Sequence, residues 1–240
     1  MNNTEIIAVG TELLMGETLD TNSHWLATRL PELGLTLQFI TQVRDDKRQL
    51  SEALILAKTR SEYIITIGGL GPTQDDLTRE SIAEVLKEPL AIDLEIEGKL
   101  RQYFRDRGME FPTANRKQAA FIPSSSFLMN YYGTAPGWWV RKDDAHIISL
   151  PGPPPELEAM WINVVEPFIK RLRSKEVILT RTFKTLGLSE SKLDELIGEL
   201  HNLENPYIGT YAKADGVQIR LIGKGKSKKE GENIIEPVAT

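Results

Sequence analysis

Tyr63-Ile64-Ile65-Thr66-Ile67-Gly68-Gly69-Leu70-Gly71-Pro72-Thr73-Gln74-Asp75-Asp76-Leu77-Thr78 decides how this chain folds. Its apolar head reads as a strand buried on both faces. Apolar residues at Ile82, Val85 and Leu86 then predict a helix. A strand, a glycine-rich turn and a helix N-terminus together form an anion-binding arrangement, because glycines let the backbone approach a phosphate and first-turn N–H groups face it. The loop also carries Asp75 and Asp76, and carboxylates repel phosphate unless a divalent cation lies between them. Either aspartate could instead cap the helix that begins near Leu77. The loop is not a Walker loop, since no Gly-Lys-Ser/Thr follows, and it lacks the third glycine of the dinucleotide fingerprint. Metal-dependent work on a phosphate or pyrophosphate is the chemistry this combination suggests.

Outward from this loop, strands and helices alternate. Ile6 to Val9 reads as a first strand ending at Gly10. Trp25, Leu26, Leu30 and Leu33 mark a helix stopped by Gly34, with an irregular last turn at Pro31. Leu35 to Val43 predicts a strand, and Leu50, Ala53, Leu54 and Ala57 a helix. The alternation predicts an α/β fold, a mainly parallel sheet covered by helices on both faces. Further on, Ile92 to Phe104 has helical spacing, and Trp138–Val140 and His146–Ser149 read as strands joined across Arg141–Asp144. Trp138 and Trp139 cannot share one face of a strand, so either one is exposed for stacking or each is buried on its own side. Leu150-Pro151-Gly152-Pro153-Pro154-Pro155 predicts a stiff loop before a helix from Glu156, and Pro167 a kink or fresh start.

The texture changes near Arg173-Ser174-Lys175. Val177–Leu186 reads as a strand, Ser189 as the cap of a helix through Leu193, Leu196, Ile197 and Leu200, and Tyr207–Tyr211 with Val217–Ile222 as a hairpin through Asp215-Gly216. This small α+β module lacks a recognisable final helix, which suggests a truncated form. The two domains are then 1–172 and 176–240. Lys224–Lys229 is a basic run that reads as solvated.

Composition narrows the options. The chain has 240 residues, a net charge of −5 and no cysteine, which excludes disulfides, thiolate catalysis and zinc–thiolate sites. The acidic balance argues against a nucleic-acid partner. The N-terminus has no signal-like pattern and no stretch is long enough to span a bilayer, so a cytoplasmic enzyme is expected. His24, His146 and His201 show no paired ligand spacing, so any metal would have oxygen ligands, as magnesium or manganese prefer.

Three further segments are candidate site material. Gly10-Thr11-Glu12-Leu13-Leu14 leaves the first strand on the same sheet edge as the Gly68 loop, with Glu12 as site residue or plain loop acid. Asn130-Tyr131-Tyr132-Gly133-Thr134-Ala135-Pro136-Gly137 is a small-residue loop or simply a turn. The Pro151–Pro155 loop, with Glu156, could line a pocket or cap its helix. Asn115-Arg116-Lys117-Gln118 reads as a solvated helix face, with a cation near phosphate as the other reading.

Together these segments, with Asp20-Thr21-Asn22-Ser23, resemble in content and order the CinA (competence/damage-inducible protein A) family, and Gly187–Ser191 with Asn205–Gly209 resembles its middle module. The resemblance implies a three-layer α/β/α domain of the molybdopterin-binding type, as in MogA and MoaB. It implies divalent-metal-dependent hydrolysis of ADP-ribose to AMP and ribose 5-phosphate, with magnesium, manganese or cobalt. Asp75 and Asp76 would be the acidic, metal-holding pair and Gly68, Gly69, Gly71 and Thr73 the phosphate loop; apart from the resemblance, Glu12 is the candidate general base, which requires its loop and the Gly68 loop to converge. The same matches would bring Gly10, Thr11, Asn130, Gly133, Thr134, Pro151 and Gly152 to the substrate. Many members continue into a nicotinamide-mononucleotide amidase domain, so amidase activity is not expected of this chain. Relatives are homo-oligomers, and a homo-oligomer is expected here. The alternative is a protein that binds a nucleotide or pterin, or transfers adenylyl to it, without hydrolysis. A DNA-associated competence factor is the third class.

Overall fold

The structure is a computed structural model that describes residues 3–172, 177–213 and 216–239. Asp215 of the expected hairpin turn, and the Arg173-Ser174-Lys175 segment, lie outside the described residues. The chain forms two compact units, Met1–Leu30 with Leu35–Phe168, and Pro31–Gly34 with Ile169–Thr240.

The first unit begins with β1 (Asn3–Val9), the short α1 (Thr11–Leu14) and α2 (Thr21–Arg29). A 3-10 turn over Leu30–Leu33 accommodates Pro31, and Gly34, at φ 68°, ends it as the sequence indicates. There follow β2 (Thr36–Val43), α3 (Lys47–Arg60), β3 (Tyr63–Ile67), α4 (Thr78–Leu86), β4 (Ala91–Ile92) and α5 (Leu94–Arg105). A 3-10 segment at Thr113–Ala119 leads into β5 (Ala120–Phe121), β6 (Ser125–Leu128), β7 (Gly137–Lys142) and β8 (Ala145–Leu150). The unit closes with α6 (Pro154–Met160), a π-helical turn at Trp161–Val165, and α7 (Glu166–Leu172), which extends past its end. The π turn lies just before Pro167 and is the fresh start that residue demands, since proline offers no N–H to a continuing α-ladder.

The main sheet has the order β2-β1-β3-β8-β7-β6. Its first four strands run parallel and β7 is antiparallel to both neighbours. At the central strands both sheet faces are dry: successive residues Ile6 and Ile7, and Ile64 and Ile65, are all fully buried. On one face Ile7, Ile64 and Trp138 join Leu50, Leu54 and Ala57 of α3 and Ile82 and Leu86 of α4 in one core. On the other, Leu26 of α2 and Leu157 and Met160 of α6 are buried, and the two helices touch. This is the three-layer α/β/α architecture expected. Trp138 and Trp139 are both buried, on opposite faces, so neither is exposed for stacking. A buried charge is handled by pairing: Glu5, 1% exposed, accepts two bonds from Arg60, at 2.8 and 2.7 Å, and one from Thr41 at 2.9 Å.

The second unit contains β9 (Val177–Thr185), α8 (Glu190–Ile197), β10 (Tyr207–Lys213), β11 (Gly216–Gly225) and α9 (Lys228–Ala239). Its sheet is antiparallel, in the order β10-β11-β9. Ser189 caps α8 as expected. The expectation that this module lacks a final helix is wrong. α9 packs on β9 and β11, where Ile235 is buried with Ile208 and Leu221. Gly231 and Pro237 obscured it in the sequence, but Gly231 lets the helix approach Leu179 closely. Part of the basic run, Lys228 and Lys229, forms the exposed first turn of this helix. Among the described residues no helix is long and apolar enough to cross a membrane.

Candidate functional site

In the main sheet the chain leaves β1 toward β2 on one side and leaves β3 toward β8 on the other, so β1 and β3 flank a switch point. Loops beyond the carboxyl ends of such strands diverge and leave a crevice. Gly10 follows β1 and donates to Val43 O at 3.0 Å, which fixes its loop against the end of β2. Gly68 follows β3, donates to Leu150 O at 2.9 Å, and sits at φ 93° with Val9 O 2.5 Å from where a Cβ would be. No other residue fits there. Thr78, opening α4, binds back to the loop through Oγ1 to Gly68 O at 2.8 Å and N to Gly69 O at 3.1 Å. Asn22 of α2 donates to Gly152 O at 2.7 Å and anchors the proline-rich loop.

These loops enclose a cleft of ≈ 400 Å³. Gly10 and Glu12 come from the first loop, Gly68, Gly69, Gly71, Thr73, Asp75 and Asp76 from the second, and Thr134, Pro151 and Gly152 from the remainder. The structure therefore brings Glu12 to the same cleft as the Gly68 loop. Thr11, Asn130 and Gly133 do not line it. The Thr11 amide and hydroxyl bind Asp45 Oδ2 at 2.8 and 2.9 Å, presenting Asp45, a lining residue missed in the sequence. Asn130 Oδ1 accepts the amides of Tyr132 and Gly133, and its Nδ2 donates to Ala135 O at 3.1 Å and Glu156 Oε2 at 2.6 Å. Glu156 lines the cleft, and Gly133 leaves room for its carboxylate.

The acidic pair is not a helix cap. The N-cap of α4 is Leu77, without a side-chain bond. Asp76 folds back to accept the Thr73 amide at 2.8 Å, its carboxylate lying against Gly71 where a Cβ would stand. The Thr73 hydroxyl reaches both Asp75 and Asp76. That hydroxyl holds the exposed Asp75 carboxyl below its ordinary pKa. Two carboxylates of this kind suit a hard divalent cation that keeps several waters and takes further oxygens from a phosphate. Among the described residues no three acidic or histidine side chains group to cage a metal by themselves.

Two cations lie behind the loop. Lys117 does not belong to a solvated face as expected. The 3-10 segment buries its neighbours Asn115 and Gln118, which turns the lysine so that Nζ donates to Thr73 O at 2.8 Å and Asp76 O at 2.7 Å, with Glu80 at 3.3 Å. Arg79, 1% exposed, donates to Leu70 O at 2.9 Å and Pro136 O at 2.6 Å. Burial lowers its pKa to about 10. The sequence held a signal for it: Arg79 shares the helical phase of the apolar Ile82, Ala83 and Leu86.

A hollow of ≈ 670 Å³ lies at the other end of the sheet, among Lys58, Arg60, Arg141, Asp143 and Asp144. Its charges are of both signs, Lys58 facing Asp143 at 3.7 Å, and it faces the strands' amino ends. Position and chemistry favour the Gly68 cleft over size.

A family model described as "Probable molybdopterin binding domain" matches residues 5–171, and one described as "Damage-inducible protein CinA KH domain" matches residues 180–240. A CinA-like protein of Deinococcus radiodurans is 43% identical over 238 residues, covering 98% of this chain and 58% of the relative. A putative competence-damage inducible protein of Caldicellulosiruptor saccharolyticus is 39% identical over 234 residues, 97% of this chain and 56% of the relative. The chain thus spans somewhat over half the length of these relatives. The crystal structure of CinA from Thermoplasma acidophilum has a TM-score of 0.65 and 31% identity, over 70% of this chain and 98% of that one. With the expected motifs brought together at one switch-point cleft, the chain belongs to the CinA family.

Proposed function

We propose that the cleft binds a phosphorylated nucleotide or pterin. The observation that carries this reading is the Gly68–Thr73 loop, set at the switch point between β1 and β3 and closed onto the first turn of α4. Without side chains, Gly69 and Gly71 let the Thr78 hydroxyl and the Asp76 carboxylate close tightly on the loop backbone, and the cleft volume suits a ligand of nucleotide size.

A second reading is favoured by the carboxylates in the same cleft. Asp75 and Asp76 would hold a divalent cation, and Glu12 would take a proton from water at its carboxylate, giving hydrolysis of a nucleotide pyrophosphate such as ADP-ribose. A divalent cation bound there supplies charge neutralisation at the pyrophosphate and lowers the pKa of bound water. Lys117 and Thr73 keep the aspartate pair in place while the loop backbone orients the phosphates.

Titration with ADP-ribose in the presence of magnesium, manganese or cobalt, with AMP release followed in parallel, tests both. Saturable binding that is weakened by Gly71→Ala supports the first reading. AMP that disappears with chelator and in Asp76→Ala adds the second. Binding without AMP leaves a nucleotide- or pterin-binding protein, and the absence of saturable binding by ADP-ribose, AMP and a phosphorylated pterin removes both.

A further inference from the structure

The cleft poses an electrostatic problem. Glu12, Asp45, Asp75, Asp76 and Glu156 all face it, yet it is read as a phosphate site. Among the described residues no lysine or arginine lines it to offset them. The nearby positive charges, Arg79 and Lys117, grip backbone carbonyls of the glycine loop from behind.

That grip has a geometric consequence. The peptide bond after Leu70 is trans, the cis bond among the described residues being Asn205–Pro206. In a trans peptide the C=O and the following N–H point in opposite directions. The Leu70 carbonyl is turned to the Arg79 guanidinium at 2.9 Å, inside the protein. The N–H of Gly71 therefore points away from Arg79, and Gly71 itself lines the cleft. It has no hydrogen-bond partner among the described residues. Lys117 does the same to the carbonyls of Thr73 and Asp76, at 2.8 and 2.7 Å, and so turns the amides of Gln74 and Leu77 away from itself. A cation on a carbonyl also polarises its peptide unit, making the N–H beyond it a stronger donor.

Arg79 is costly to bury for such a task. Among the described residues it has no hydrogen-bonded carboxylate, only the longer-range attraction of Glu80 and Asp76, and its Nε is buried without a partner. A guanidinium taken out of water without an ion pair destabilises the fold. Its second bond, to Pro136 O at 2.6 Å, ties the glycine loop to the Thr134–Ala135 wall of the same cleft. Trp138, 5.7 Å away, closes the pocket around it.

We propose that Arg79, backed by Lys117, is the positioning residue that makes the Gly68–Leu77 loop an anion cradle, by aiming the Gly71 amide at the phosphate. The inference rests on the reading of the cleft as a phosphate site and adds the residues that create its positive potential.

Inorganic pyrophosphate, with and without magnesium, is the probe. Calorimetry gives its affinity for the wild type, Lys117→Met, Arg79→Met and Arg79→Lys, and ¹⁵N NMR follows the Gly71 amide of the wild type. Pyrophosphate should move the Gly71 amide proton downfield, and Lys117→Met and Arg79→Met should each weaken binding about tenfold or more. Arg79→Lys, which keeps the charge but replaces the two guanidinium nitrogens that reach Leu70 O and Pro136 O with a single shorter-reaching donor, should recover part of the loss. Should Arg79→Met fail to fold, the Gly71 shift and Lys117→Met decide the matter. Wild-type binding with an unmoved Gly71 amide, or undiminished binding by folded Lys117→Met, overturns the inference and leaves the cleft reading intact. No wild-type binding at all overturns that reading, and the inference falls with it.

Discussion

Gly71 illustrates how single residues carry the site. The Asp76 carboxylate occupies the space in which a Cβ at position 71 would stand. Gly71→Ala must therefore swing Asp76 out of its bond to the Thr73 amide, and ligand affinity should fall about tenfold while the melting temperature changes little, measured by calorimetry and thermal denaturation. Thr73 has a separate effect. Its hydroxyl lowers the Asp75 pKa, so Thr73→Val should raise that carboxyl toward its ordinary value, read by ¹³C NMR titration. An unmoved Asp75 would mean that the hydroxyl does not hold it. Away from the cleft, Arg60→Met leaves the buried Glu5 without its cation and should lower the midpoint of urea unfolding. At this scale the sequence was half legible. Glycines and aspartates announce themselves by type and order and Arg79 by its apolar helical phase, whereas Lys117 is an ordinary surface residue until burial shows where it points. Asp45 was missed because it follows β2, outside any motif, and is found only through its bonds to Thr11.

Elements were read best where their pattern was strongest. β1 and β3 are nearly continuous apolar runs and were located to within a few residues, while β4, β5 and β6 are two to four residues long and carry no period to detect. The 3-10 segment Thr113–Ala119 follows no α-helical spacing, which is why its inward lysine was read as solvated. The β7–β8 hairpin has a pH signature of its own. Trp139 Nε1–H donates to His146 Nδ1 at 3.1 Å, and that ring stacks on Tyr63. Burial and the nearby Arg141 lower the pKa of His146 from its ordinary 6.5. A histidine kept neutral in the fold contributes stability above its unfolded pKa, and that contribution is lost as pH falls through the depressed folded value. Denaturant midpoints should therefore decline below about pH 6.5 more steeply in the wild type than in His146→Gln. Equal slopes would show that His146 does not titrate with folding.

For the molecule as a whole, the three-layer architecture followed from strand–helix alternation, and the position of the cleft followed from strand order, which no local pattern contains. The second unit shows the opposite case. Its α9 was hidden by Gly231 and Pro237, yet Ile235, 2% exposed, is part of the core of that unit. Ile235→Ala should destabilise it by about 2–4 kcal/mol, visible by hydrogen exchange in β9 and β11 with β1 and β3 unaffected. In the first unit, phosphates are expected on the glycine loop between β1 and β3. A crystal structure of the protein with ADP-ribose and manganese, the metal located by its anomalous signal, tests it most directly. Diphosphate density is expected against Gly69 and Gly71, with manganese beside Asp75 or Asp76. Diphosphate density in the Lys58–His146 hollow, or none in either place at saturating ligand, would contradict it.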